Sequence, residues 1–350
     1  MVCCGNFRVQ AIGARRVKEE VITFVKERVF SGIQPSGVLH IGNYLGAIRN
    51  WVSLLDDYEC IFCIVDLHAI TVPYDPKEMQ TYIVDTATGY MACGVDPEKC
   101  TIFVQSDVPE HTELTWYFNT VIPLAYLERM TQFKEKSRQF KENINMGLLD
   151  YPVLQAADIL LYKGEIVPVG EDQAQHLELS RDIARKFNNL YGQTFPEPRT
   201  LLGVGARIMG LDGKDKMSKT KDNYIAITDS PETIWKKLSV AVTDPARKRR
   251  SDCGNPDACN IYSLHKFFST KEQLAYVSEG CRTAKIGCLD CKRILADNIS
   301  AELKPIRERY ATLKDNKSMI YEALDEGAER CRKIAHETIR EVKGKMGLNR

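Results

Sequence analysis

The stretch Arg28-Val-Phe-Ser-Gly-Ile-Gln-Pro-Ser-Gly-Val-Leu-His-Ile-Gly-Asn43 is where the fold is decided. Val29–Ile33 is a short β-rich run, a Gly/Pro/Ser turn follows, and a helical pattern opens at His40. A strand, a turn and a helix start present free backbone N–H groups and a positive dipole end to an anion. Gly37 and Gly42 carry no Cβ, so a nucleotide can approach the backbone closely. His40 and Asn43 lie three apart on the opening turn, where both can aim donors at phosphate oxygens. Taken alone, the stretch also reads as a plain turn with a capping histidine.

Outward from it, two periods alternate. β-rich runs at Val29–Ile33, Cys60–Asp66, Thr101–Gln105 and Ile166–Val169 are interleaved with helical patterns at Ile41–Leu55, Pro76–Ala92, Glu110–Tyr126 and Asp172–Asn188. Such alternation predicts βαβ units, an α/β fold with a Rossmann-like parallel sheet and ligands at its carboxyl edge. Residues 110–150 contain an insertion between the two halves of the sheet, longest over Pro123–Leu149. After Pro231 only helical patterns remain: Glu232–Val242, Ile261–Phe268, Lys271–Glu279, Cys288–Met319 and Ile320–Lys345. The expected organisation is an N-terminal extension over 1–28, a catalytic domain over 29–227 and an all-α domain over 228–350. The last helix is free to pack back on the catalytic domain. The extension holds Arg8, Arg15, Arg16 and Lys18 before its first acid, yet lacks the Ser-rich character of a transit peptide.

Composition narrows the function. The 350 residues carry 48 basic and 47 acidic groups, a formal charge of +1. Residues 1–240 hold 26 basic and 31 acidic groups, net −5, and residues 241–350 hold 22 and 16, net +6. A basic back half points to a polyanion that the total conceals. No apolar run approaches the ~18 residues of a membrane span, which excludes an integral membrane protein of that kind.

A second loop, Gly213-Lys-Asp-Lys-Met-Ser-Lys-Thr220, sets three lysines around one apolar residue, Met217. Lysine runs are usually solvated surface; paired with the turn at His40, this one is not an ordinary coincidence. His40-Ile-Gly-Asn43 and Lys216-Met-Ser-Lys-Thr220 resemble the two signatures of class I aminoacyl-tRNA synthetases. The fuller strings Phe30–Gly46, Tyr151-Pro-Val-Leu-Gln-Ala-Ala-Asp-Ile-Leu-Leu-Tyr162 and Val167-Pro-Val-Gly-Glu-Asp-Gln-Ala-Gln-His176 are similar to the bacterial-type tryptophanyl-tRNA synthetases. The resemblance runs from about Arg28 to the C-terminus. Asn43 and Thr220 depart from the commonest forms of the signatures in ways the family tolerates.

The resemblance implies activation of L-tryptophan by ATP with Mg²⁺, then transfer to tRNA(Trp), in a cytoplasmic homodimer. It implies an ATP site made of Gln34, Ser36, His40, Gly42, Asn43, Lys134, Lys216, Met217, Ser218 and Lys219, although Lys134 reads equally as a surface lysine. It implies a tryptophan pocket of Tyr151, Asp158, Gly170, Asp172 and Gln173. Carboxylate attack on the α-phosphorus needs positioning and charge neutralisation, not a protein nucleophile, and these residue types suit that task. Asp158 interrupts an apolar helix face, so its carboxylate needs a partner, and the donor-only indole N–H complements it. Phenylalanine would leave that carboxylate unpaired, a loss of ~10⁴-fold. A tyrosine hydroxyl could also donate to it, so a tyrosine-specific synthetase stays open, as does a non-catalytic RNA-binding paralogue.

Twelve cysteines without a signal peptide predict a reducing compartment and no disulfide framework. Cys60 and Cys63 lie in a strand with side chains on opposite faces, and Cys93, Cys100 and Cys331 read as small hydrophobes. Cys259-x21-Cys281-x6-Cys288-x2-Cys291 is different, because four thiols can hold Zn²⁺ or an iron–sulfur cluster and spacing does not choose. A subset of the resembling family carries a [4Fe–4S] cluster on a nearly identical spacing, which makes the cluster the expectation. Most of the basic neighbours Arg247-Lys-Arg-Arg250, Arg282, Lys285, Lys292 and Arg293 read as a solvated face, while Lys292 and Arg293 directly follow a candidate ligand, so the cluster is expected to order a surface for the tRNA anticodon.

Overall fold

The structure, a computed structural model, describes residues 26–139, 144–168, 170, 173–201 and 208–349. Most of the N-terminal extension, and Asp172, lie outside these residues.

Five parallel strands form the sheet: β1 (Arg28–Ile33), β2 (Glu59–Ile64), β3 (Thr101–Val104), β4 (Ile166–Val167) and β5 (Arg199–Thr200), in the order β3-β2-β1-β4-β5. The chain winds outward from β1 to β3, then crosses to the other side, which leaves a switch point between β1 and β4. Ligand crevices of parallel sheets open there, beyond the carboxyl ends of the strands. The two-residue β5 is too short to show a strand pattern in the sequence and was not expected.

Side chains of the strands alternate between two cores. Val29, Cys60, Phe62 and Ile64 point to one face, while Phe30, Ile61 and Cys63 point to the other. Both faces are covered by helices, so β2 is apolar along nearly its whole length.

The helices follow the expected patterns, with breaks that have local causes. After β1 come α1 (Ile41–Asn43), a π-helical turn over Tyr44–Ile48 and α2 (Arg49–Leu54), where one continuous helix was expected. Next are α3 (Asp66–Ala69) and α4 (Pro76–Ala92), the latter capped by Asp75 with Pro76 at its first position. α5 (Glu110–Asn119) stops before Pro123 and the chain resumes as α6 (Leu124–Glu128); Pro123 has no N–H to give the Asn119 carbonyl, which weakens the helix there. α7 (Thr131–Gln139), α8 (Met146–Leu161) and α9 (Ala174–Tyr191) complete this part. Then come α10 (Pro231–Val240), α11 (Asn260–Phe268), α12 (Lys271–Arg282), α13 (Cys288–Asp315) and α14 (Lys317–Lys345). The break between the last two falls at Asn316, three residues earlier than its sequence pattern suggests.

The C-terminal helices are not detached. Leu295, Ile299, Leu303 and Ile306 of α13 share one core with Ile48, Trp51, Phe62 and Tyr90. α14 returns to the sheet and covers the β3 edge, which removes an exposed strand edge. The approach is close enough that a Cβ on Gly327 would lie 1.8 Å from the Ile102 carbonyl oxygen.

Candidate active site

A cavity of about 470 Å³ opens at the β1/β4 switch point. Its walls combine the turn after β1 (Gln34, Ser36, His40, Gly42, Asn43), the lysine loop (Lys216, Met217), α8 (Tyr151, Gln155, Asp158) and the segment after β4 (Pro168, Gly170, Gln173). Thus residues far apart in sequence converge where the topology directs them.

His40 caps α1 from an extended conformation. Its Nδ1 accepts from the Gly42 and Asn43 amides at 3.1 and 3.3 Å, while Oδ1 of Asn43 accepts from the His40 amide at 3.1 Å. Burial, reinforced by Lys219 and Lys216, brings the imidazole pKa down to about 4. The ring is therefore neutral near pH 7, and with Nδ1 accepting, Nε2 carries the proton as a donor. Gly42 has a nearer reason than nucleotide approach, since a Cβ there would meet the His40 ring at 2.8 Å.

The lysine loop is tied to this turn through its backbone. Ile41 and Ile227 amides donate to Ile225 and Leu39 carbonyls at 2.9 and 3.0 Å. Met217 is buried and its amide donates to Ile208. Asn223 accepts from the Ser218 amide at 2.8 Å and donates to Asp212 at 2.8 Å. Asn223 was not picked out from the sequence; its neighbour Gly210 leaves room for it, a Cβ there falling 2.0 Å from its amide nitrogen. Lys219 donates to the Ser36 carbonyl, and burial lowers its pKa to about 8, with Asp85 opposing.

At the other end, Asp158 is buried on α8 with three donors. Nε2 of Gln105 and Nδ1 of His111 reach Oδ1 at 2.6 Å each, and Nε2 of His68 reaches Oδ2 at 2.7 Å. Burial pushes this carboxyl upward, but His68 and His111 outweigh it and hold the pKa down to about 2. These three partners were missed from the sequence. The available signal was position: Gln105 follows directly on β3, and His68 lies on α3, the short helix after β2, both at the carboxyl edge. The Tyr151 hydroxyl lies 3.1 Å from both Gln132 Oε1 and His176 Nε2.

Lys134 stands exposed on α7, outside the cavity wall to which Gln132 of the same helix belongs. Ser218 also lies off the wall, while Asp172 falls outside the described residues.

Residues 25–304 match the family of class I tRNA synthetases for W and Y. A tryptophan–tRNA ligase of Deinococcus radiodurans is 53% identical over 92% of this chain and 98% of its own length. That of Thermotoga maritima is 43% identical, over 92% and 99%. The crystal structure of Campylobacter jejuni tryptophanyl-tRNA synthetase complexed with ADP and tryptophan superposes with a TM-score of 0.80, at 38% identity, over 92% of this chain and 100% of that one. The chain belongs to the bacterial tryptophanyl-tRNA synthetases of class I.

The cysteine region of the helical part bears on two expectations. Cys259 caps α11, Cys281 lies on α12, and Cys288 and Cys291 open α13. Burial, with Cys259, Cys281 and Cys288 acting in the same direction, pushes the Cys291 thiol up to about 12, so the four are electrostatic neighbours. Among the described residues, however, no three His, Cys, Asp or Glu side chains are grouped so as to hold a metal ion. The expected ligand set is thus assembled on adjacent elements without being closed.

The second concerns charge, and here the structure corrects the expectation. Arg247 is buried and donates to the Ile286 carbonyl at 2.7 Å and to Cys281 Sγ at 3.7 Å. Lys292 is buried too, with its ammonium on the Ser239 and Ala241 carbonyls at 2.8 and 2.7 Å. Both satisfy backbone carbonyl oxygens from within the core, and neither faces solvent. Lys248, Arg249, Lys285 and Arg293 remain on the surface, Arg293 with its guanidinium 3.5 Å from the centroid of Trp235. Among the described residues, no helix is long and apolar enough to cross a membrane.

Proposed function

We propose that the chain is a tryptophan–tRNA ligase, activating L-tryptophan with ATP and passing it to tRNA(Trp). One observation carries the reading: a buried, ionised Asp158 closes one end of a cavity whose other end is lined by a neutral His40 and Lys216. An acceptor-only group suits an indole N–H, and donors and cations suit phosphate.

In the first step a carboxylate oxygen of tryptophan bonds to the α-phosphorus while the bond to the bridging oxygen of pyrophosphate breaks. Nε2–H of His40 and the side-chain Nδ2 of Asn43 would steady the phosphates, with Gln34, Ser36 and Gly42 shaping the turn. Lys216 and Lys219 would neutralise the departing pyrophosphate, placed by Met217 and Ser218. Tyr151, Gly170, Asp172 and Gln173 would surround the amino acid. In the second step a terminal ribose hydroxyl of tRNA attacks the acyl carbon and AMP leaves. Asp158 is the only carboxylate among the described residues of the cavity wall, so Mg²⁺ would come bound to the phosphates of ATP. Tryptophan-dependent ATP–pyrophosphate exchange, with charging of tRNA(Trp), tests the reading; exchange with tyrosine alone would overturn it.

The helical part over 228–350 would present its outward bases, Lys248, Arg249 and Lys285, to the anticodon arm. Cys259, Cys281, Cys288 and Cys291 would hold a [4Fe–4S] cluster, with Zn²⁺ the competing occupant. The donor chemistry of four neighbouring thiols supports this, with Arg247 available to offset thiolate charge. Iron and sulfide content and visible absorbance of anaerobically purified protein separate the two metals. Cys288→Ser is expected to lower both metal content and tRNA affinity, as measured by filter binding. A second copy of the chain would cover the exposed Trp116, Leu124 and Met146 on the 110–150 region.

A further inference from the structure

The donors on Asp158 come from two sides. His68 lines the cavity and binds Oδ2; Gln105 and His111 bind Oδ1 and do not line the cavity. Gln105 and His111 are each 0% exposed. An ionised carboxylate offers about four acceptor positions. Among the described residues three are filled, and the position left over belongs to Oδ2, on the cavity side next to His68.

Each rear donor is itself held in one orientation. Oε1 of Gln105 accepts from the Leu67 amide at 3.1 Å, which turns its NH₂ toward Asp158. Nε2 of His111 lies 2.8 Å from the Tyr162 hydroxyl, and burial keeps that phenol protonated, well above its ordinary range. The hydroxyl can then donate to Nε2, and Nδ1 keeps the ring proton for Asp158. Tyr162 in turn meets the Cys331 thiol on α14. A continuous buried chain therefore runs from the C-terminal helix to the carboxylate.

We propose that Gln105 and His111 are positioning residues for amino-acid selection: they saturate Oδ1 of Asp158 from behind and present its last acceptor position, on Oδ2, to the ring N–H of the substrate. The inference rests on Asp158 being the partner of the indole. A carboxylate without rear donors can rotate, admit water or accept a proton, and each of these softens the penalty for a ligand that offers no N–H. The rear donors make that penalty steep.

The test compares tryptophan with L-3-benzothienylalanine, in which sulfur replaces the ring N–H within nearly the same shape. ATP–pyrophosphate exchange gives kcat and KM for each. The unmodified enzyme is expected to prefer tryptophan strongly; if it does not, the assignment of Asp158 to the indole falls, and this inference with it. His111→Leu and Gln105→Glu should each cut the preference about tenfold or more, mainly through a higher KM for tryptophan. His111→Asn, which keeps an N–H for Oδ1, should restore most of it. Tyr162→Phe, the mildest change, should lower the preference about threefold by freeing the histidine tautomer, and it serves if the larger changes prevent folding. An unaltered preference in the folded variants, with both substrates weakened equally, would mean that these residues only support the core and would overturn the proposal.

Discussion

Asp158 lies buried with three donors from three elements on its two oxygens, whereas Lys219, off the cavity wall, places its ammonium on one backbone carbonyl, that of the wall residue Ser36. The contrast follows from what each end meets. A group that reads the shape and polarity of a neutral ring gains from being fixed beforehand, since a loose acceptor would tolerate the wrong ligand. A group that neutralises charge developing in the transition state must not be neutralised permanently by the protein. The lysine loop is accordingly held through Met217, Asn223 and backbone amides.

Four changes would break or sharpen this contrast. Asp158→Asn replaces the acceptor and leaves His68 and His111 facing an amide; kcat/KM for tryptophan in pyrophosphate exchange should fall by about 10³-fold or more. A smaller loss with unchanged selectivity would mean that the fixed end is not the reading end. Lys216→Ala should depress kcat of activation about 10²-fold while the KM for tryptophan stays within about threefold, as expected for an interaction made in the transition state.

The third concerns pH. The Lys219 pKa is lowered to about 8 in the free protein, so its charge is present below that pH and is lost as pH rises through it. kcat/KM for ATP, which reports the free enzyme, should decline by about tenfold per pH unit on the alkaline side. Lys219→Arg should remove that limb, because guanidinium keeps its charge. An identical profile in the variant would assign the limb elsewhere.

The smallest change acts from outside the cavity. Gly327→Ala forces α14 away from β3 and should cost about 1–3 kcal/mol in denaturant unfolding. Through Cys331 and Tyr162 it should raise the KM for tryptophan a few-fold and move that for ATP less, since Ala328, Cys331 and Ala335 of α14 share the core that holds Tyr162.

The candidate site was legible wherever its parts were consecutive. His40 to Asn43 and Lys216 to Thr220 could be found because a helix cap and a tight loop are built from neighbours in the chain. Asp158 was visible as a lone acid on an apolar helix face. Its partners were not, because His68, Gln105 and His111 lie 90, 53 and 47 residues away and carry no local pattern. Lys134 shows the reverse: it fits a phosphate-binding lysine by its sequence context, yet α7 leaves it exposed and off the cavity wall.

Charge tells the same story at larger scale. The sequence alone determined the parallel sheet, the helical C-terminal part and the move from −5 to +6 along the chain, since these depend on periodicity and composition. Tertiary structure alone decided which of those positive charges face outward. Arg247 and Lys292 are turned inward onto backbone carbonyls, and Lys248, Arg249 and Lys285 are left on the surface. It decided likewise that Gly327 would seat the last helix on the sheet and that the acceptor position left on Asp158 would face the cavity. The physical reason is one of range. Hydrophobic period and helix capping are set within a few residues, whereas the satisfaction of a buried charge depends on whichever groups the packed fold brings within hydrogen-bonding distance.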